Sequence, residues 1–527
     1  MLVHTLLAVV LIVFGGGATA VAQKRGGTLH VSLRDSPPSA SIHEENSLSI
    51  AAFMPVFSNL VTFDPRATQS SAETVIPDLA ESWSWNPDKT ALTFNLRRGV
   101  RWHDGWPFTA SDVECTFNLL MDRSHDRLRY NPRADWYDNI DEVRGATDHE
   151  VTIYLKRPQP ALLTLLASGL VPMYPCHVPS AQMRARPVGT GPFKLDTFTR
   201  FASVRLVRNA DYFKPDRPYL DGIEFTIASS TSTALLSFVA GRFDLTFPWQ
   251  ITSRELRDVR RQAPSVMCAT TPMNQSTDVL LNHAAPPFDK PELRRALLLA
   301  LDRRAFIAAL SGGDDRIGGL LQPRDEGLWG MPAAKLADIP GYGPDVEQNR
   351  EEARAIMRQA GFGPDRRLRI AVATRPQAIY RGPAAILIEQ LREIFIDARL
   401  QVTEPSQWEE LLNGKRWAIA IGVAINGVDD PDQALFEKYA CHSTLNHGRY
   451  CDRSLEGLFA QQSAESDPAK RRELVEQIEA KLLADAARVT IMWNSGSTCW
   501  HPHVKGYVPQ VNGMFNTLLF EDVWLDD

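Results

Sequence analysis

The chain has 527 residues, of which 44% are hydrophobic and 23% are charged, and its formal net charge is −6. A chain of this length and composition is typical of a large globular protein with two or three domains. The mildly acidic balance, and the lack of basic runs interleaved with aromatic residues, argue against a nucleic-acid-binding protein.

The first 22 residues are typical of a secretory signal peptide. An apolar run at residues 6–14 is followed by small residues at the spacing of a signal-peptidase site, so we expect cleavage after Ala22. A membrane-spanning helix needs roughly 20 apolar residues, and no run in the chain is that long. No Lys or Arg precedes the run and no Cys follows it closely. We therefore expect a freely diffusing periplasmic protein without a lipid anchor.

Residues 77–120 are the most regular part of the chain. Two short runs, 82–85 and 91–96, are separated by Asn-Pro-Asp-Lys, and the second run alternates apolar and polar residues. This pattern predicts a β-hairpin closed by a Pro-Asp turn. Further on, Thr109 and Asp112 have the spacing of a helix N-cap and an acidic residue facing the free amides of the first turn. The segment is predicted to fold as hairpin, turn and capped helix.

The remaining elements are predicted from hydrophobic periodicity. Residues 54–63 are expected to begin as a helix and end as a strand. In the second half of the chain, strands alternate with helices, which predicts an α/β fold with an open sheet flanked by helices. The expected strands lie at 27–33, 151–155, 193–196, 245–249, 368–373, 400–403, 418–424 and 489–493, and the expected helices at 158–170, 233–240, 293–301, 351–360, 384–396 and 468–486.

Short motifs inside and after the regular segment resemble those of a known family. They are LAESW at 79–83, LRRGVRWHDG at 96–105, PFTASDV at 107–113 and GTGPF at 189–193. In this order and spacing they are similar to the family 5 extracytoplasmic solute-binding proteins, which are the dipeptide, oligopeptide and nickel receptors of ABC importers. The resemblance extends over almost the whole mature chain.

The resemblance implies an α/β fold with two lobes joined by two crossings, the type II periplasmic-binding-protein fold of cluster C. Lobe one is expected at 23–270 with an extra subdomain at about 55–185, lobe two at 271–488, and a return segment to lobe one at 489–527. In such a fold the ligand contacts both lobes, binds the closed state better and shifts the population toward it.

Six cysteines in a secreted chain permit disulfides. Cys441 and Cys451 are close in sequence and resemble a pair found in relatives, so we expect them to be bonded. The other four are expected to be buried thiols, and these are Cys115, Cys176, Cys268 and Cys499.

The resemblance also implies ligand-binding residues in lobe two. Arg375 has the position of an arginine whose guanidinium binds the ligand carboxylate in dipeptide receptors, and the alternative is a surface arginine at the end of a strand. Those receptors carry an Asp for the ligand's α-ammonium group, and without gaps that position is Gly427 here. Asp429 is the expected substitute after a small loop shift, although the Asp-Pro-Asp that it precedes is also typical of a turn or helix cap. Asn426, in the same run, is a further candidate.

Three more candidates lie where relatives line the cleft. Glu44, between His43 and Glu45, is expected either to face the ligand or to belong to a solvated surface. Trp249 and Trp408 are aromatic positions near the expected cleft, and each is equally compatible with a place in the core.

Neither catalysis nor metal binding is predicted. The chain has no G-x-S-x-G and no H-E-x-x-H motif, and the two histidines of His501-Pro502-His503 have no further ligands at metal-site spacing. We expect no enzymatic activity, no metal site and no cofactor.

These observations predict a monomeric periplasmic receptor that delivers a small solute, by default a short peptide, to the permease and ATPase subunits of an ABC importer. It would contact the membrane only through the permease. The alternatives are a receptor for a non-peptide solute, such as a small anionic compound, an oligosaccharide or a metal chelate, and, from another class, a secreted hydrolase or a signalling module.

Overall fold

The computed structural model describes residues 23–45, 48–228, 230–414, 416–516 and 518–526. The predicted signal peptide at 1–22 lies outside these ranges. Among the described helices, none has the length and apolar character needed to cross a membrane. The strands are β1 (Thr28–Leu33), β2 (Val61–Phe63), β3 (Val75–Pro77), β4 (Ala80–Trp85), β5 (Ala91–Leu96), β6 (Ile140–Thr147), β7 (Glu150–Leu155), β8 (Phe193–Thr199), β9 (Ser203–Arg208), β10 (Gly222–Ile227), β11 (Leu245–Thr246), β12 (Met267–Leu281), β13 (Leu368–Thr374), β14 (Ile396–Val402), β15 (Ile419–Ile425), β16 (Val489–Trp500), β17 (Val504–Lys505) and β18 (Trp524–Leu525).

The helices alternate with these strands, most regularly in the second half of the chain. Short 3₁₀ helices span Ile42–Glu44, Leu48–Val56, Ala72–Thr74 and Ala134–Tyr137. The α-helices are α1 (Ala110–Leu120), α2 (Leu162–Leu166), α3 (Ser180–Met183), α4 (Thr231–Val239), α5 (Ser253–Gln262), α6 (Pro291–Ala300), α7 (Arg303–Leu310), α8 (Ala333–Leu336), α9 (Val346–Gln359), α10 (Ala378–Arg392), α11 (Pro405–Asn413), α12 (Pro431–Lys438), α13 (Arg453–Ala464) and α14 (Pro468–Ala484).

The main sheet has ten strands in the order β14-β13-β15-β12-β16-β11-β1-β10-β9-β8. Its centre is formed by β12 and β16, two long antiparallel strands that pair from Met267 opposite Trp500 to Val279 opposite Val489. One end of this ladder carries β11, β1, β10, β9 and β8, and the other end carries β15, β13 and β14. The two long strands therefore belong to both halves of the molecule.

Two separate hydrophobic cores confirm the predicted two-lobe α/β fold. The larger core combines residues from 29–273, Val428 and residues from 500–525, and it contains Phe53 and Phe225. The second core lies within residues 279–492 and contains Leu297 and Leu391. The predicted lobe boundary at 270–271 falls inside β12, and the boundary at 488–489 falls at the start of β16. The exact division stays a prediction, because these strands are shared.

The regular segment folds as predicted and forms the centre of a separate four-stranded sheet, β4-β5-β7-β6. In the hairpin, Trp83 is opposite Phe94, and the Asn86 amide donates to the Ala91 carbonyl at 3.0 Å. At the start of α1, the Thr109 amide donates to Asp112 Oδ2 at 3.0 Å, completing a capping box. The same carboxylate accepts from the Trp102 indole, so the cap also fixes the preceding turn.

Two of the predicted elements are much shorter in the structure. The helix predicted over 158–170 is reduced to α2, five residues long. The strand predicted over 245–249 ends at Thr246, because Pro248 cannot donate a ladder hydrogen bond and Trp249 adopts a left-handed φ of 61°.

All six cysteines are in disulfides. The predicted Cys441–Cys451 bond is confirmed. The expectation of four buried thiols is wrong, since Cys115 is bonded to Cys176, and Cys268 to Cys499. The second of these bonds joins residues that are directly opposite on β12 and β16, a proximity created by strand pairing over 231 residues of sequence.

Candidate functional site

The candidate site lies at the carboxyl edge of the lobe-two sheet. Strands β13 and β15 are parallel and adjacent, with Ala373 opposite Ala420, so the residues that follow them emerge at the same edge. Arg375 follows β13 and Asn426 follows β15. The edge faces lobe one, because Val428, two residues beyond Asn426, is buried in the lobe-one core.

Arg375 is held between two aromatic rings. Its guanidinium carbon lies 3.8 Å from the centre of the Tyr380 ring and 5.4 Å from that of Trp408. Its Nε is buried without a hydrogen-bond partner, and within the described ranges no carboxylate lies close enough for an ion pair. A guanidinium held by ring faces keeps its hydrogen-bond donors available for an incoming anion.

Trp408 lies in the core and also beside Arg375. Its side chain is buried in a small hydrophobic cluster with Leu280, Ala373 and Ala420, and its ring also lies near the Arg375 guanidinium. It is therefore a core residue that also limits the position of the candidate arginine. A direct contact with the ligand stays a prediction.

Asn426 is part of a buried amide network. Its backbone amide donates to the Asn274 carbonyl at 2.9 Å, and its side-chain Nδ2 donates to Asn274 Oδ1 at 3.1 Å. Its own Oδ1 accepts from the ammonium group of Lys438 at the end of α12. Asn426 thus links the carboxyl edge of β15 to β12 and positions a cation that sequence reasoning missed.

Asp429 holds a neighbouring loop. Its Oδ2 accepts from the Leu328 amide at 2.8 Å, and its Oδ1 lies 3.1 Å from the position that a Cβ on Gly327 would occupy. Burial raises the pKa of Asp429 to about 7, because the Leu328 amide only partly offsets the cost of burying the charged carboxylate. Asp429 therefore anchors the loop around residue 327. A ligand role for Asp429 stays a prediction.

Gly427 packs directly against lobe one. A Cβ at this position would lie 2.9 Å from Leu170 Cδ1 and 3.3 Å from the Trp136 ring. An aspartate here would place a carboxylate against apolar side chains, at a cost in solvation. The position of Gly427 therefore carries no carboxylate, and Asp429 stays the predicted substitute.

Glu44 is engaged by two arginines of lobe one. Its carboxylate accepts from Arg184 Nε at 2.7 Å and from the Arg129 amide at 2.7 Å, and its side chain is 1% exposed. These hydrogen bonds lower the pKa of Glu44 despite its burial. The carboxylate is thus buried and already paired within the protein, so the alternative of a solvated surface is wrong, and a ligand contact stays a prediction.

Trp249 lies beside the crossing strands. It is 7% exposed, and its indole Nε1 donates to Thr271 Oγ1 on β12 at 2.9 Å. A Cβ on Gly496 of β16 would lie 2.7 Å from Trp249 Cβ. The ring is therefore wedged against both long strands, and its contact with a ligand stays a prediction.

The two lobes touch across the cleft in this structure. The Trp136 indole of lobe one donates to the Glu437 carboxylate of lobe two, and Gln159 Nε2 donates to Asp432 Oδ2 at 3.0 Å. A small cavity of about 20 Å³ lies between the same surfaces, beside these contacts. The lobes are thus closed against each other, with α12 carrying the lobe-two half of the contact.

The motifs noted in the sequence occur within a longer match. The family profile described as "Bacterial extracellular solute-binding proteins, family 5 Middle" matches residues 74–445, which is more than half of the chain. The chain belongs to this family. As a family 5 solute-binding protein it binds a solute and is not an enzyme, and within the described residues no group of three or more His, Cys, Asp or Glu could hold a metal ion.

Known relatives agree with this assignment. "Probable di/tripeptide-binding protein 5" of Pseudomonas aeruginosa is 29% identical over 522 residues, covering 92% of this family 5 chain and 93% of the relative. The Helicobacter pylori periplasmic binding protein DppA, solved with the peptide STSA, superposes with a TM-score of 0.80 at 21% identity, over 96% of this chain and 99% of the other. AgaA from A.tumefacien R10, solved with agropinic acid, also gives a TM-score of 0.80 at 21% identity, over 95% of this chain and 99% of the other.

Sequence reasoning named Arg375, Asn426 and Trp408, which the structure brings to one edge. It missed Lys438, Tyr380 and the Trp136–Glu437 contact. Tyr380 follows Arg375 by five residues at the start of α10, a spacing that could have suggested a stacked pair. Nothing in the local sequence indicates the other contacts, which join separate elements.

Proposed function

We propose that this family 5 protein captures a short peptide with a free C-terminal carboxylate in the cleft and delivers it to the permease of an ABC importer. The observation that carries the proposal is the Arg375 guanidinium, stacked on Tyr380 at 3.8 Å, with its Nε buried and without a hydrogen-bond partner. Leaving such a donor buried without an acceptor costs free energy, and a carboxylate on the ligand is the matching acceptor.

The names of the relatives support a peptide as cargo, since several are called dipeptide- or di/tripeptide-binding proteins. The proposal also includes cleavage of the signal peptide after Ala22, a periplasmic location and a monomeric state. The ABC permease and its ATPase subunits are the proposed partners, reached only by the closed form.

Isothermal titration calorimetry with Ala-Ala and with its C-terminal amide tests the carboxylate contact. We expect saturable binding of Ala-Ala, at least tenfold weaker binding of the amide, and a loss of about 10- to 100-fold in affinity for Arg375→Ala, because a charge-assisted hydrogen bond contributes about 1.5 to 3 kcal/mol. Arg399→Ala, at an exposed position on β14, is the matched control and should bind normally. Equal binding of acid and amide would refute the assignment.

A second candidate is a receptor for a non-peptide anionic solute. It is favoured by Gly427, which packs against Leu170 and leaves no carboxylate at the position that would bind an α-ammonium group. Native mass spectrometry of the protein purified with its endogenous ligand separates the two candidates, because a peptide and a non-peptide solute differ in mass and fragmentation.

A further inference from the structure

A row of residues crosses three strands beside Arg375. Asp278 on β12 is opposite Gly422 on β15, and Ala373 on β13 is opposite Ala420. The pairing of β13 with β15 ends at Ala373 and Ala420, and the same register extended by two residues would place Arg375, just past the end of β13, beside Gly422. Alternate residues of a strand share a face, so these positions lie on the same face as the Trp408 cluster.

Arg488 immediately precedes β16, and its side chain extends over these positions. Its Nε donates to Asp278 Oδ2 at 2.6 Å, and one terminal nitrogen lies 3.6 Å from the position of a Cβ on Gly422. Glycine leaves room for the guanidinium to lie over β15. Within the described residues, its two terminal nitrogens make no hydrogen bond. Neighbouring strands are about 4.8 Å apart, so the extended register would bring the guanidinium groups of Arg488 and Arg375 toward the same space.

Lys438, the last residue of α12, is a third cation and lies beside Asn426 at the end of β15. Its ammonium group donates to the neutral amide oxygen of Asn426, and no carboxylate of the described chain lies within ion-pair distance. Burial lowers the pKa of Lys438 to about 8, and the opposing attraction of Glu437 does not fully offset this effect. The charge of Lys438 is therefore incompletely compensated by the protein.

Two carboxylates face these cations. Asp278 pairs with Arg488, and its second oxygen is buried without a hydrogen-bond partner. Glu437 accepts from Trp136 and from Gln433, and burial raises its pKa. The region thus has an excess of positive charge and buried polar atoms without partners, which are both features of a site completed by a ligand.

We propose that this region selects solutes with a second anionic group. Arg375 binds the terminal carboxylate, and Arg488 with Lys438 binds a carboxylate on the side chain of the C-terminal residue. The inference deepens the proposed function and rests on it. The preferred cargo is an acidic short peptide, and the same chemistry would accept a dicarboxylate.

Calorimetry with Ala-Glu and Ala-Gln at pH 7 tests the proposal, because the two dipeptides have nearly the same shape and differ in charge. We expect Ala-Glu to bind at least tenfold more tightly. Lys438→Met should reduce this ratio to below threefold. Lys470→Met, which removes an exposed lysine of α14, should leave the ratio unchanged.

A second variant tests the same region without leaving an unpaired buried charge. Asp278→Asn with Arg488→Gln removes both members of the buried pair, so no unpaired charge remains, and it should also reduce the preference for Ala-Glu. If both dipeptides bind equally, the proposed function stands and this inference is overturned. A preference that survives both variants also overturns it. If neither dipeptide binds, the peptide assignment fails and the inference fails with it.

Discussion

Cys268 on β12 is bonded to Cys499 on β16, and the two residues are direct partners in the antiparallel ladder that links the lobes. Thr246 also holds β16 at this position, since its Oγ1 accepts from the Cys499 amide at 2.9 Å. The bond closes a loop of 231 residues that contains all of lobe two. It therefore restrains the two crossings where lobe movement begins.

Replacing both Cys268 and Cys499 with serine should lower the free energy of unfolding by about 5 kcal/mol, because a long closed loop loses the most entropy in the unfolded chain. The equivalent change at Cys441 and Cys451, which close a loop of 10 residues, should cost about 2 to 3 kcal/mol. Urea unfolding followed by circular dichroism measures both. Equal losses would contradict the loop-length argument.

The stacking of Tyr380 on Arg375 should contribute to ligand affinity. Tyr380→Ala frees the guanidinium from its ring and should weaken Ala-Ala binding by about 3- to 30-fold, since such contacts contribute about 0.5 to 2 kcal/mol. Tyr380→Phe keeps the ring face and should bind within twofold of wild type. Calorimetry at one salt concentration checks both variants. An equal loss for Phe and for Ala would point to the hydroxyl group instead.

The contact between Trp136 and Glu437 should stabilise the closed state. Trp136→Phe keeps the ring and removes the donor, leaving a buried carboxylate with one partner fewer, and we expect ligand affinity to fall by about tenfold. Small-angle scattering should show a larger radius of gyration at subsaturating ligand. Trp106→Phe, at an exposed indole, serves as the control. An unchanged radius with unchanged affinity would exclude a role in closure.

Asp429 should make stability depend on pH. Its pKa is near 3.8 when solvated and about 7 in the folded protein, where burial favours the neutral acid. The folded state therefore holds an extra proton between these values, and its stability falls as the pH rises from about 4 to about 7. Asp429→Asn removes this contribution and should flatten that part of the curve.

The same variant tests the predicted ligand role of Asp429. If the residue only anchors the loop through Leu328, Asp429→Asn should bind Ala-Ala with wild-type affinity, because an amide oxygen can still accept from that backbone amide. A loss of tenfold or more would instead indicate a ligand contact. Unfolding curves at pH 4, 5.5 and 7 and calorimetry at pH 7 measure the two effects separately.

Local interactions explain what could be predicted from the sequence. The hairpin ending at Leu96 and the Thr109–Asp112 cap depend on residues within a few positions of each other, so spacing and residue type determine them. The resemblance to family 5 then supplied the two-lobe fold and the place of Arg375. Asn426 was named only as part of a run, with no indication of its partners.

Contacts between distant segments were decided only by the tertiary structure. Arg488 and Asp278 are 210 residues apart, and Cys268 and Cys499 are 231 apart, so only the pairing of β12 with β16 brings them together. Such pairs depend on the path of the whole chain, and no local pattern of charge or hydrophobicity specifies them.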